Sequence, residues 1–418
     1  MLLKSSLVKK ISIVLSSTAG AQVISFLFVP LITRLYGPEV YGVQSVFLSI
    51  VAILTPLGAL TLPLAIVLTS ERKETNKVIE ANMAISIIMF FVILSCILIV
   101  KYSGFNFFSI NDLGGWAYCI PFYLMVVTWA DIIKKDMIKS DKYTILARSN
   151  IMSSIITNVS KYVGGLFSST SIMLVGVINV SNLINSIICY KLNGLKFTCN
   201  IRFGEIKRIL RQYADFPKYR CPQMLLNAIS QDLPVVLLSM SFGLKSAAYY
   251  GLCRTLFTAP VNLLGNSLNS VLYPKYVNMR NEGQNVNRLL IKSTLSLMVI
   301  SVIPFGAFIF FGSQIFTLVF GEEWVMAGHY AKWLAILCFF ILISRPSISL
   351  IPVIKVQKHF LIIEVFSFIL RVVSLLVGIY YYKDELISVE LFCLASSLIY
   401  VAIILFVFIE SKKDTYYD

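Results

Sequence analysis

A chain of 418 residues in which 57% are hydrophobic and 14% charged, with a mean hydropathy of +0.81, is far too apolar for a soluble globular protein. Its net charge of +15 comes without a basic low-complexity tail, and Lys and Arg fall in the gaps between apolar runs, which points to a membrane surface and away from nucleic acid. Eight cysteines without CxxC spacing and two distant histidines, His329 and His359, offer neither a disulfide framework nor a metal site.

From the N-terminus, Lys9 and Lys10 precede ISIVLSS and Ala19-Gly20-Ala21, an outline that resembles a cleavable signal peptide. The apolar stretch continues to Ile32, however, so it reads as an uncleaved first span. Crossing the hydrocarbon core takes about 20 apolar residues, and the pattern predicts twelve such segments. The first six cover 11–33, 43–69, 79–100, 114–133, 145–167 and 171–190. The second six cover 222–241, 247–272, 291–312, 331–354, 360–380 and 388–409. The fold expected is therefore an all-α integral membrane protein.

Between the first and second spans the chain reads TRLYGPEVYG, Thr33 to Gly42, and between the seventh and eighth it reads LSMSFGLKSAAYYG, Leu238 to Gly251. Tyr36-Gly37 aligns with Phe242-Gly243, and Tyr41-Gly42 with Tyr250-Gly251. A second echo aligns Asn76-Lys77-Val78-Ile79 with Asn287-Arg288-Leu289-Leu290. Six spans separate the copies, so they share one orientation: a parallel repeat of two six-helix bundles related by an axis along the membrane normal. The lobes are expected at 1–190 and 221–418, joined by a cytoplasmic linker at 191–220. In that linker, FGEIKRILRQYADF reads as an amphipathic helix lying at the anionic inner surface, with a basic tether between the lobes as the competing reading.

Alternate gaps between spans hold 26 and 5 of the 36 Lys and Arg residues, so the richer set and both termini are expected on the cytoplasmic side. The other five cations, Arg148, Lys161, Arg254, Arg345 and Arg371, fall inside spans, where a charge costs about 2.5–3.5 kcal/mol on insertion scales. Arg148 and Lys161 lie close enough to span ends to snorkel; the other three are deeper. The acidic groups available as charge partners or coupling-ion sites are Asp232 and Glu364. A surplus of buried guanidinium suits an anionic substrate, phosphate oxygens above all, whereas a proton or sodium relay calls for carboxylates. Packing of these cations against backbone carbonyls is the competing reading.

Helix breakers gather at Pro56, Gly58 and Pro63, at Pro234, at Pro260 and Gly265, and at Pro346 and Pro352, marking sites of bending or static kinks. The outer loops are short, the longest running from Ser313 to His329, which leaves little room for a glycan polymerase's catalytic loop.

The stretch YADFPKYRCPQMLLNAISQDLPVVLLSMSFGLKSAAYYGLCRTLFTAPVNLLGNSL, Tyr213 to Leu268, resembles the bacterial Wzx-type polysaccharide-unit flippases of the multidrug/oligosaccharidyl-lipid/polysaccharide (MOP) exporter superfamily. The DFP-x-Y opening, the LNxxSxxLP core, LYGPEVYG near the start and FGEEWVMAG at Phe320 to Gly328 carry the likeness. The resemblance implies a MATE-like, V-shaped transporter of two bundles that alternates between inward-open and outward-open forms. It implies a non-enzymatic role: carrying undecaprenyl-diphosphate-linked oligosaccharide across the bacterial cytoplasmic (inner) membrane for O-antigen and lipopolysaccharide, capsule or exopolysaccharide assembly. The cationic lumen of the family maps onto Arg254, Arg345 and Arg371, with Arg148 and Lys161 as further members. The partners implied are the lipid-linked oligosaccharide, membrane lipid, and polysaccharide polymerase and chain-length proteins. No cofactor is expected beyond coupling to protons or sodium. Where many relatives carry a polar pair in the second span, this chain reads TLPLAIVL, Thr61 to Leu68, so no coupling site is expected there. A drug/cation antiporter of the same superfamily is the alternative, and a glycan polymerase the third reading.

Overall fold

The computed structural model of the chain describes residues 2–103, 110–194 and 203–414, and these are helical with no strand among them. The helices are α1 (Leu2–Leu54), α2 (Arg72–Tyr102), α3 (Ile120–Lys139), α4 (Tyr143–Phe167), α5 (Ser171–Asn193), α6 (Phe203–Gln212), α7 (Cys221–Phe242), α8 (Leu244–Asn281), α9 (Val286–Phe320), α10 (Val325–Ile343), α11 (Arg345–Leu350), α12 (Gln357–Val377) and α13 (Glu385–Asp414). Among the described residues nine stretches are long and apolar enough to cross a bilayer, making this a multi-pass membrane protein. The first of them, Ser12–Leu57, takes in nearly all of the first expected span and the opening part of the second. The expected fifth and eighth spans are helices too, α4 and α8, but polar side chains dilute their hydropathy.

The interruption TRLYGPEVYG shrinks to one residue. α1 runs through it with a kink at Gly37, whose φ of 68° and ψ of 170° belong to a region that residues with a Cβ avoid. The echo position, Gly243, separates α7 from α8 with φ 90° and ψ 177°. The two sequence copies thus place glycine at the same backbone corner. Gly42 adds a close approach, since a Cβ there would lie within van der Waals overlap of the Leu244 carbonyl.

The second expected span departs from a simple helix. α1 stops at Leu54, and Thr55–Leu57 and Leu62–Leu68 form 3₁₀ turns around Leu60 and Thr61, both at positive φ. Pro56, Gly58 and Pro63 account for the loss of regular helix. Gly58 packs so close to Thr128 of α3 that a Cβ would overlap its hydroxyl, Thr61 donates to the Phe216 carbonyl at 3.2 Å, and the Cys221 thiol reaches the Pro56 carbonyl at 3.4 Å. By contrast α8 passes Pro260 and Gly265 without a break.

The chain packs as two compact units, Met1–Ala248 and Tyr249–Asp418, with the boundary inside α8. α7 sits against α1 and falls in the first unit. The amphipathic helix of the linker exists as α6, but it turns its apolar face inward: Ile206 and Ile209 are buried among Leu62, Ile85, Tyr213 and Phe216. Lys77 meets Glu205 at 2.9 Å, and Glu74 accepts from Gln212 and Tyr213, each at 2.9 Å. The Tyr213 hydroxyl is pushed up to about 12, first by burial and then by the Glu74 carboxylate it serves. Nearby, Asp136 is buried between Arg72 at 2.5 Å and the Asn193 amide at 2.7 Å. Lys196 and Arg202 of the linker, and Cys199, lie outside the described residues.

In the second unit, α9 and α10 meet at Gly312 and Gly328, where a Cβ on Gly328 would sit 2.4 Å from the Ser313 Cα, the close backbone approach that small residues allow between membrane helices. The ends of α8 and α9 pack with α11 and α13 around Tyr276, Leu290, Leu350, Ile399 and Val407. Elsewhere Ile303, Phe310 and Leu318 of α9 and Ile362 and Phe366 of α12 stand exposed, as lipid-facing side chains do.

Candidate functional site

Three of the five cations expected inside spans belong to the second unit. Arg254 lies on α8, Arg345 is the first residue of α11 and Arg371 lies on α12. Arg345 owes its position to a break: α10 ends at Ile343, Ser344 turns the chain, and Pro346 favours a new helical start. Its guanidinium NH2 donates to the Asn262 Oδ1 of α8 at 2.9 Å. It packs against Gly265, one turn further along α8, where an added Cβ would come within 2.8 Å of Nε. The Nε itself is buried without a hydrogen-bond partner, and Arg345 has no carboxylate partner among the described residues.

One aromatic side chain supports the third arginine. Arg371 stacks over the Tyr400 ring of α13 at 5.3 Å. A guanidinium over an aromatic face gains roughly 0.5–2 kcal/mol. Glu364 lies seven residues before Arg371 on α12 and is exposed.

The remaining candidates lie elsewhere. Arg148 and Lys161 are on α4 in the first unit; Arg148 is exposed beside a cleft of about 250 Å³ between α4 and α5, and Lys161 is half-buried, its backbone carbonyl accepting from Tyr36 at 2.7 Å. Asp232 is buried in α7, also in the first unit. Sequence reasoning missed Tyr400 and Asn262, which look like ordinary helix residues until tertiary packing sets them beside the arginines. The one available signal was Asn262 itself, first of the amides in VNLLGNSLN.

A family profile described as polysaccharide biosynthesis protein matches residues 31–328. The chain belongs to that family. No curated protein matches it by sequence. Among solved structures, the lipid II flippase MurJ in its inward closed conformation is similar with a TM-score of 0.71 and 13% identity, over 93% of this chain and 86% of that one. An outward-facing multidrug resistance MATE family transporter of the MOP superfamily gives a TM-score of 0.59 and 11% identity over 97% and 96%. A MOP superfamily transporter from Pyrococcus furiosus, reported with reversed binding-pocket polarity, gives 0.52 and 11% over 97% and 93%. At such identities the likeness is one of fold: this polysaccharide biosynthesis family member has the MOP transporter architecture, and all three of these matches are transporters or flippases.

Proposed function

We propose that this protein is a flippase for undecaprenyl-diphosphate-linked oligosaccharide, moving it from the cytoplasmic to the periplasmic leaflet for O-antigen, capsule or exopolysaccharide assembly. Two lobes, 1–190 and 221–418 with 191–220 between them, alternate in access, and both termini are cytoplasmic. The observation that carries the reading is the arginine group of the second unit, with Arg345 held by a neutral amide rather than a carboxylate. An arginine already neutralised by an acid has less to offer a phosphate; one positioned by Asn262 and Gly265 keeps its charge and a buried N–H for an incoming anion.

In this mechanism Arg254, Arg345 and Arg371 replace water around the diphosphate, and the polyprenyl tail stays in lipid along the apolar outer faces. Outward movement of an anion is favoured by roughly 2.3 kcal/mol per charge per 100 mV of inside-negative potential, so the hydrocarbon barrier is what the protein must lower. Arg148 and Lys161 serve at the ends of the path. Membrane lipid is a partner throughout, with polymerase and chain-length proteins acting on the product.

The test compares charge reversal at Arg345 and Arg371 with neutralisation of Asp232 and Glu364, in proteoliposomes carrying the native lipid-linked oligosaccharide. The flippase reading predicts that the arginine reversals abolish translocation and that the acid substitutions leave most of it. The opposite ranking, with drug efflux as the surviving activity, supports the antiporter.

A further inference from the structure

Beside Arg345 lies a cleft of about 360 Å³, lined on one side by Gly265, Asn266, Asn269 and Tyr273 of α8 and on the other by Ser349 and Pro352. The volume falls in the range of small-molecule sites. Positions 262, 266, 269 and 273 recur at helical spacing, so three amides and a phenol form one stripe along α8. Asn262 is spent on Arg345, but Asn266 and Asn269 are exposed and make no hydrogen bond among the described residues. A carboxamide offers two donors and an acceptor oxygen, and left facing hydrocarbon it would carry a desolvation penalty of several kcal/mol.

The sequence repeat shows that these amides belong to one half of the chain alone. The offset of 209 that aligns Tyr41-Gly42 with Tyr250-Gly251 sets Asn262, Asn266, Asn269 and Tyr273 against Ile53, Leu57, Leu60 and Leu64 in the first half of the chain. Where these four matched positions are apolar, the second half carries hydrogen-bonding groups. Apart from Arg345 the cleft lining has no charge, so its chemistry does not suit a second phosphate. Paired donors and acceptors next to an exposed aromatic ring match a neutral polyol: vicinal hydroxyls or an acetamido group against Asn266 and Asn269, with the apolar face of a pyranose on Tyr273.

We infer that this cleft is a carbohydrate subsite, in which Asn266, Asn269 and Tyr273 read the sugar attached to the diphosphate that Arg345 holds. The inference rests on the flippase reading and assigns it a specificity element: Arg345 takes the anion common to every lipid-linked unit, and the amide stripe takes the first sugar. Distance along the helix fits this division, because Asn266 follows Asn262 by one turn and Asn269 lies about one turn beyond that.

The experiment measures binding by the full-length protein in lipid nanodiscs with two probes: undecaprenyl diphosphate, and the native lipid-linked oligosaccharide extracted from a polymerase-deficient host. The unaltered protein is expected to bind the glycan-bearing lipid more tightly than the bare diphosphate. Asn266→Leu with Asn269→Leu should erase about tenfold of that preference while changing affinity for the bare diphosphate by less than twofold, the scale of one or two lost hydrogen bonds. The paired Gln variants should restore part of it, which separates recognition from a folding defect. Arg345→Ala should weaken both probes together. An unchanged preference in the double Leu variant, or an equal loss for both probes, overturns the carbohydrate subsite and leaves the flippase reading standing. Failure of the unaltered protein to bind either lipid overturns both.

Discussion

Gly265→Ala offers a sharp separation of stability from transport. The new methyl would lie 2.8 Å from Arg345 Nε, 3.0 Å from Cδ and 3.1 Å from Cζ, closer than side-chain carbons tolerate, yet every one of these atoms belongs to a flexible side chain. The helix accommodates the change by pushing the guanidinium away, which breaks its 2.9 Å bond to Asn262. Losing a hydrogen bond to a charged group costs about 1.5–3 kcal/mol, while replacing glycine by alanine within a helix returns about 1 kcal/mol. Net stability therefore changes by no more than about 2 kcal/mol, whereas a displaced anion ligand costs roughly tenfold in function for every 1.4 kcal/mol. The assay pairs thermal unfolding in detergent with the level of lipid-linked intermediates in a deletion strain complemented by the variant. We expect a near-normal unfolding transition together with accumulated intermediates. Full complementation by the Gly265→Ala protein would refute the placement of Arg345 in the transport path.

Other substitutions probe other joints. Tyr400→Phe keeps the ring beneath Arg371 and should complement fully, whereas Tyr400→Leu removes it and should reduce transport several-fold in the same assay. Gly37→Ala and Gly243→Ala each force a Cβ into a backbone region at φ 68° or 90°, with an expected cost of about 1–3 kcal/mol that will appear as lower yield and an earlier unfolding transition. Gly328→Ala meets backbone rather than a movable side chain, so it should destabilise the α9–α10 pair by about 1–3 kcal/mol whatever its effect on substrate. Removing the α6 clasp with Glu205→Ala should change unfolding by less than about 1 kcal/mol, because the Lys77 pair is solvent-accessible and Ile206 and Ile209 hold the helix in place.

The elements legible in the amino-acid sequence were those with local causes. Runs of apolar residues marked the helices, glycine marked the corners at 37 and 243, and charge inside apolar runs marked Arg254, Arg345 and Arg371. What escaped depends on tertiary neighbours. Nothing local in α13 distinguishes Tyr400 from other aromatic residues, and only packing puts it under Arg371. The apolar face of α6 is equally suited to lipid or protein, and its burial became evident only with Leu62 and Ile85 against it. Proline gave mixed signals for the same reason: Pro56 and Pro63 end regular helix, Pro346 starts a new one, and Pro260 is absorbed within α8.

The central claim, that the arginine group serves a lipid-linked saccharide, is tested most directly by deleting the gene and locating the lipid-linked intermediates. The account predicts that undecaprenyl-diphosphate oligosaccharide accumulates on the cytoplasmic face, and that it is cleared by the unaltered protein but not by Arg345→Glu. Unchanged intermediates accompanied by altered drug sensitivity would contradict it.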